Sequence, residues 1–254
     1  MEMEKDQKIE HNFGLVGHNI SYSFSEKYFS DKFINLKLKG YQYQNFDIST
    51  IDKLPNLIAN NEHLKGLNVT IPYKEAVVKY LDFIDSEAAK IGAVNTIKML
   101  PNKKLKGYNT DVYGFEHSIK PLLKGHHKKA LILGTGGASK AIKYVLKKNN
   151  ISVLFVSRTP KNKEEISYND LTKSRLESHT VIINCTPIGT YPNSDECPNI
   201  PYQYLSPKHL LYDLIYNPTE TLFLTKGLHK GCVISNGFKM LELQAEKSWE
   251  IWNA

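Results

Sequence analysis

Short apolar runs closed by Gly or polar turns alternate with helix-period stripes along most of the chain. Residues 13–17 read as a first strand, and Phe29, Phe33, Leu36 and Leu38 give a helical stripe with Ser25 as its expected N-cap. Residues 41–48 alternate like a strand, and Ser49 is expected to cap a short helix ending at Asn60. Residues 67–70 predict a third strand, with Pro72 in the first turn of a following helix that carries Lys74. Residues 93–99 predict a strand, with a hairpin-like excursion at 102–105, and residues 109–123 a helix stopped by Gly125. A sharper pattern follows: a buried strand at 130–133, a Gly-rich turn at 134–139, a helix at 141–148 and a strand at 151–156. That is a βαβ unit of the expected size. Further strands are predicted at 181–183, 210–215 and 232–234, and a last helix at 238–252 carries Leu241, Ala245, Trp249 and Trp252 at helical spacing.

The expected class is α/β, with mainly parallel sheets. An N-terminal substrate domain of residues 1–109, joined by 238–254, is expected beside a Rossmann-type domain of residues 110–237. The boundary near Asn109 and Thr110 puts a cleft there.

Composition narrows the function classes. The chain has 254 residues, 41% hydrophobic and 23% charged, as ordinary globular proteins have. Nothing is apolar enough to span a membrane, and the charged start lacks a signal-peptide core, so a cytoplasmic location and no membrane partner are expected. Three cysteines, Cys185, Cys197 and Cys232, make an odd count with no Cys-x-x-Cys pair, so free thiols are expected. No metal site is indicated by the histidine spacing, and His126 and His127 read as a solvated loop. The net charge of +7 favours anionic ligands, but no basic stripe with interleaved aromatics points to nucleic acid. Oligomeric state, monomer or homodimer, is left open.

The chemistry-bearing residues cluster in turns. Gly134-Thr135-Gly136-Gly137-Ala138-Ser139 follows a strand and opens a helix, where glycines admit a pyrophosphate and the helix N-terminus offers N–H groups. The next strand ends in Ser157-Arg158-Thr159 with no acidic residue to hold a ribose diol, so Arg158 can face a 2′-phosphate and NADP is the expected cofactor. Lys74 alone reads as a solvated lysine, and Asp111 alone as a helix cap. Read functionally, the two meet across the cleft and exchange a proton with an alcohol or ketone. Ser23 and Ser25 alternate, so on extended backbone both hydroxyls face one side and suit a carboxylate; a polar turn with an N-cap is the other reading. Asn68, Thr70 and Asn95 suit ring hydroxyls or their own turns. Tyr216, Gly237 and Gln244 border the same cleft in this reading, Thr186 is a cofactor contact, and Cys185 is structural for want of a neighbouring base.

Taken together these motifs resemble the shikimate dehydrogenase family. The resemblance covers nearly the whole chain in order, through Ser21-Tyr22-Ser23-Phe24-Ser25, Asn68-Val69-Thr70-Ile71-Pro72-Tyr73-Lys74, Ala93-Val94-Asn95-Thr96, Asn109-Thr110-Asp111, the Gly-rich turn, Asn184-Cys185-Thr186-Pro187, Tyr212-Asp213-Leu214-Ile215-Tyr216 and Gly237-Phe238-Lys239-Met240-Leu241-Glu242-Leu243-Gln244-Ala245. It implies that Ser23 and Ser25 hold a substrate carboxylate. Asn68, Thr70, Asn95, Tyr216 and Gln244 would bind around the ring, and Lys74 with Asp111 would carry the proton. Gly134, Gly136, Gly137, Ala138, Ser139, Ser157, Arg158, Thr159, Thr186, Ile215, Gly237 and Met240 would line an NADP site. The C-terminal helix would return to the substrate domain. The implied reaction is the reversible, NADPH-dependent reduction of 3-dehydroshikimate to shikimate in aromatic amino-acid biosynthesis. An NAD-preferring quinate/shikimate dehydrogenase and a non-catalytic binder of a cyclic hydroxy acid are the alternatives. Where the family usually has His and Pro around the two serines, this chain has Tyr22 and Glu26.

Overall fold

The computed structural model describes residues 9–21 and 23–254. Tyr22 and the charged first residues therefore lie outside the described part. The chain divides into two compact units, residues 1–110 with 245–254, and residues 111–244.

The first unit is built on β1 (His11–Gly17), α1 (Phe24–Asn35), β2 (Tyr41–Asp47), α2 (Leu54–Ala59), β3 (Leu64–Val69), β4 (Phe83–Ile84), α3 (Ser86–Ile91), β5 (Thr96–Met99) and β6 (Leu105–Tyr108). Its six-stranded sheet runs in the order β2-β1-β3-β5-β6-β4. The β1 pairings with β2 and β3, and β4 with β6, are parallel, and β5 runs antiparallel to both β3 and β6. The hairpin at residues 100–104 explains the antiparallel segment, because a short excursion reverses the chain and a parallel return needs a crossover.

Local details depart from the sequence expectations. The N-cap of α1 is Ser23, whose hydroxyl accepts the Ser25 N–H at 3.2 Å. Ser25 therefore sits in the first helical turn, and the two serines do not share one face of an extended strand. Ser49 caps nothing: Thr50 precedes a 3₁₀ turn, Ile51–Lys53, with no side-chain cap. Lys74 is in a turn, not a helix, and the following helix is a 3₁₀ segment, Ala76–Tyr80. Its backbone explains why: the Lys74 carbonyl accepts the Val94 N–H at 2.7 Å, tying the turn to the strand edge.

The second unit contains α4 (Thr110–Ile119, its first residue in the first unit), β7 (Lys129–Leu133), α5 (Gly137–Lys148), β8 (Ser152–Val156), β9 (Glu165–Ile166), α6 (Lys173–Ser178), β10 (Val181–Asn184), β11 (Leu210–Asp213), α7 (Leu222–Leu228), β12 (Val233–Ser235) and the start of α8 (Phe238–Asn253). Its sheet, in the order β12-β11-β10-β7-β8-β9, is parallel throughout. That is the doubly wound order, in which the crossovers reverse direction between β7 and β10. The central strands are buried and apolar between their end residues, as strands covered on both faces must be. Helix α8 supplies Met240 to this unit and Ala245, Ser248 and Trp252 to the first. His127 is not part of a solvated loop. It is buried, its Nδ1 accepts the Lys124 N–H at 2.9 Å, and burial lowers its pKa. The imidazole and the His127 N–H together close the turn from Lys124 to His127.

Candidate active site

In the first unit, strand register brings the polar candidates to one end of the sheet. Asn68 of β3 pairs with Thr96 of β5, and Thr96 with Tyr108 of β6. Just past that row Asn95 and Thr110 lie side by side, and Thr70 follows β3 at the same end. The Thr70 N–H donates to the Val16 carbonyl at 2.9 Å and the Asn95 N–H to the Tyr108 carbonyl at 3.0 Å, so backbone bonds fix both. The Asn95 carboxamide oxygen accepts the Thr110 backbone N–H at 2.7 Å, and Asn95 Nδ2 donates to Thr110 Oγ1 at 3.0 Å. The turn carrying Lys74 is one bond from this cluster through Val94.

Two residues that the sequence motifs do not single out complete the arrangement. Tyr43, buried in β2, donates its hydroxyl to Asn68 Oδ1 at 2.9 Å. Burial drives its phenol far above the ordinary range, with a hydrogen bond to Ser25 working the other way. Tyr43 thus joins the first turn of α1 to the Asn68 amide. Ser248, on the buried stripe of α8, accepts from Asn68 Nδ2 at 3.0 Å. Both carry a signal in retrospect. A tyrosine or serine at a core-facing position keeps a polar atom that must find a partner inside.

In the second unit the parallel register sets Val156, Leu133, Asn184 and Asp213 in one row at the carboxyl ends of four adjacent strands. Ligands of open α/β sheets bind beyond this edge. Past it stand the Gly134–Ser139 turn, Ser157–Thr159, Thr186 and Ile215. Gly134 has φ +96°, and a Cβ there would meet Thr186 Cγ2 at 3.0 Å, so the turn needs glycine. Gly136 is the N-cap of α5 and offers no side-chain cap to the helix N–H groups. Ser139 folds its hydroxyl back onto the Gly136 carbonyl at 2.6 Å. Gly137 and Ala138 are thereby presented as the first N–H donors of a 12-residue helix, suited to a phosphate.

Asp213 organises the neighbouring loops. Its Oδ1 accepts from Asn184 Nδ2 at 3.1 Å and from the Ile215 N–H at 3.1 Å, and its Oδ2 accepts from Thr221 Oγ1. Asn184 Oδ1 in turn accepts the Thr186 N–H at 3.0 Å and the Thr186 hydroxyl at 2.6 Å. Burial raises the Asp213 carboxyl to about 6, against the hydrogen bonds that favour its charge. Gly237 packs where a Cβ would strike the Leu214 carbonyl at 2.1 Å, and its N–H donates to Ile215 O at 3.0 Å. Met240 is buried one turn into α8. Gly114 of α4 lets the backbone at Met240 and Gln244 come close, which puts α4, with Asp111 in its first turn, against α8. Tyr216 follows Ile215 and is half-buried.

Arg158 is exposed at the end of β8, and Ser157 Oγ accepts the Thr159 N–H at 3.2 Å. The nearby Lys161 and Lys163 are exposed as well. Burial raises the Cys185 thiol well above its usual range, which keeps it protonated and weakly nucleophilic. Among the described residues, no group of three or more His, Cys, Asp or Glu gathers as a metal site would require, and no helix is long and apolar enough to cross a membrane.

The placement divides the candidates. Ser23, Ser25, Asn68, Thr70, Lys74 and Asn95 belong to the first unit; Asp111, Tyr216, Gln244 and the cofactor candidates belong to the second.

Residues 15–97 match the family model described as the shikimate dehydrogenase substrate binding domain. The chain is 39% identical to a shikimate dehydrogenase (NADP(+)) of Methanococcus aeolicus, over 94% of this chain and 90% of the relative. It is 40% identical to one of Clostridium beijerinckii, over 94% and 91%. A crystal structure of a shikimate dehydrogenase in complex with NADP+ is similar with a TM-score of 0.86 and 32% identity, over 98% of this chain and 93% of that one.

Proposed function

Because the chain belongs to the shikimate dehydrogenase family, we propose that it catalyses the reversible, NADP-linked interconversion of 3-dehydroshikimate and shikimate. The observation that carries the reading is the polar row at the end of the first unit's sheet. It holds Asn68 and Asn95 in fixed orientation beside the Lys74 turn. A polyhydroxylated ring is oriented by polar groups held in fixed directions, and the protein partners of these two amides fix theirs.

The residues of the second unit fit a dinucleotide: a Gly turn that excludes a side chain, an uncapped helix N-terminus, and a strand end with Arg158 in place of an acid. Gly134, Gly136, Gly137, Ala138 and Ser139 would hold the pyrophosphate. Ser157, Arg158 and Thr159 would hold the 2′-phosphate, and Thr186, Ile215, Gly237 and Met240 would line the remaining wall. When bound, the reduced cofactor supplies the hydride to the ring ketone. The chain's own task is the proton. Lys74 and Asp111 are assigned to deliver it to the forming alkoxide, and to withdraw it from the alcohol in the reverse direction. Ser23 and Ser25 hold the carboxylate, and Asn68, Thr70, Asn95, Tyr216 and Gln244 meet the ring. Their hydrogen bonds orient the reacting carbon.

The test is the absorbance of reduced cofactor on mixing the purified protein with shikimate and either NADP or NAD. Growth of signal with NADP and little with NAD supports the reading. No signal with either, from folded protein that binds shikimate, replaces it with a binding-only role.

A further inference from the structure

Both substrate-facing amides of the first unit have their orientation fixed by groups that can act in one sense only. The Thr110 backbone N–H can only donate, and it meets Asn95 Oδ1 at 2.7 Å. The Asn95 backbone carbonyl can only accept, and it lies 3.4 Å from Asn68 Nδ2. Asn68 Oδ1 is thereby the end that takes the Tyr43 hydroxyl. The shortest bond from Asn68 Nδ2, 3.0 Å, goes to Ser248 Oγ; Thr96 Oγ1 is next at 3.3 Å.

Ser248 Oγ also lies 2.8 Å from Thr96 Oγ1 and 3.1 Å from Thr110 Oγ1, which are 3.2 Å from each other. Three hydroxyls thus form a closed triangle in the interior, with Ser248 fully buried. Asn68 is attached most closely at the Ser248 corner and at longer range to Thr96. Asn95 is attached at the other two, donating to Thr110 Oγ1 at 3.0 Å and accepting from Thr96 Oγ1 at 3.1 Å. Ser248 comes from α8, far away in sequence from every strand it joins.

We propose that Ser248 is a positioning residue for substrate recognition. Through the hydroxyl triangle it fixes the Asn68 amide so that Oδ1 is presented as an acceptor, and it holds Thr96 and Thr110 against Asn95. The proposal rests on the assignment of Asn68 and Asn95 to the substrate ring. Both N–H groups of Asn68 face protein acceptors, so a ring hydroxyl that meets this residue donates to Oδ1. Without Ser248 Oγ, the buried Nδ2 loses its shortest partner. The amide then either draws Thr96 out of the triangle or rotates, and either outcome changes the hydrogen-bond pattern offered to the ring.

The variant is Ser248→Ala, which removes one oxygen and adds no bulk. Nuclear magnetic resonance of the side-chain amides, with the Asn68 pair identified by its loss in Asn68→Asp, reads the orientation without substrate. Solvent exchange of the Asn68 amide protons at least tenfold faster in Ser248→Ala supports the proposal, and an unchanged rate overturns it. In turnover, the KM for shikimate is expected to rise at least fivefold with a smaller loss in kcat. The rise should shrink on a shikimate analogue lacking the hydroxyl that Asn68 meets. A fall in kcat alone, or an equal rise with every such analogue, overturns the positioning role in favour of simple packing. If the wild-type chain fails to turn over shikimate, the functional reading falls, and the exchange rate alone judges Ser248.

Discussion

Tyr43 donates its hydroxyl to Asn68 Oδ1 at 2.9 Å from a strand position that is 3% exposed. The bond fixes the carbonyl end of an amide assigned to the substrate ring. Tyr43→Phe keeps the ring packing and deletes the donor. The expected outcome is a stability loss of about 1 kcal/mol and a several-fold rise in KM for shikimate. Steady-state kinetics beside urea titration checks it; an unchanged KM would show that Asn68 needs no such hold.

Lys74 and Asp111 are assigned one shared task. Each of Lys74→Ala and Asp111→Asn is expected to lower kcat by roughly 10²–10⁴-fold with a smaller effect on KM. The double variant should be little worse than the more damaging single one, because residues that act as a unit are not additive. Multiplying losses would break that assignment.

Cofactor choice is assigned to Arg158, exposed at the end of β8. Arg158→Ala is expected to raise the KM for NADP by about 10-fold or more, the value of a lost charge-assisted hydrogen bond. The KM for NAD should stay level. Equal changes with both cofactors would mean that Arg158 does not face the 2′-phosphate.

Asp213 gives a pH dependence with a definite sign. Its carboxyl is raised from 3.8 to about 6 in the folded chain by burial. The folded state therefore binds the proton more tightly than the unfolded one. The contribution of this group is fully present below the unfolded value near 3.8 and is lost as pH rises through about 6. A raise of that size corresponds to about 3 kcal/mol. Asp213→Asn cannot ionise, so its stability relative to wild type should improve steadily between pH 4 and pH 7. A difference in melting temperature that is flat across that range would show that Asp213 is ionised throughout.

Trp252 lies in a cluster with Phe13, Phe29 and Tyr43, and its indole N–H donates to the Ile97 carbonyl at 3.0 Å. Gly66 is the reason it fits: a Cβ there would stand 2.2 Å from the indole nitrogen. Trp252→Ala is expected to cost about 3–5 kcal/mol. The chain's 2 tryptophans are Trp249 and Trp252, both in the first unit, so Trp249 fluorescence in the variant reports that unit selectively. An unfolding midpoint equal to wild type would mean the cluster holds without its largest member.

Much of this was legible in the sequence because the signals are local. The runs 130–133 and 151–156 with the intervening glycines could only be a βαβ unit, and Gly134 is held by its positive φ and by Thr186. The Lys74 segment was misread as a helix because Pro72 and the apolar Val77 imitate a helix start; the competing bond from Val94 is twenty residues away. Ser23 and Ser25 were indistinguishable as caps until the chain direction after β1 was known. Tyr43 and Ser248 escape the sequence motifs, and Asp213, quoted within one, carries no role there, for the same reason. Each acts through a partner that the sheet register or α8 delivers, and no window of sequence contains both ends.

The first unit is assembled from two stretches of chain, residues 1–110 and 245–254. During synthesis the sheet of that unit emerges long before Ser248 and Trp252 do. For the whole time that the intervening residues are being made, the Phe13–Tyr43 cluster lacks its lid and Asn68 lacks its shortest acceptor. On this assignment, recognition of the ring is acquired only after residues 111–244 have been made. A nascent chain, or one clipped before residue 245, is expected to present a nucleotide-binding fold ahead of a substrate site, and its exposed aromatic cluster is a natural place for a chaperone or protease to distinguish copies lacking the end of α8 from those that carry it.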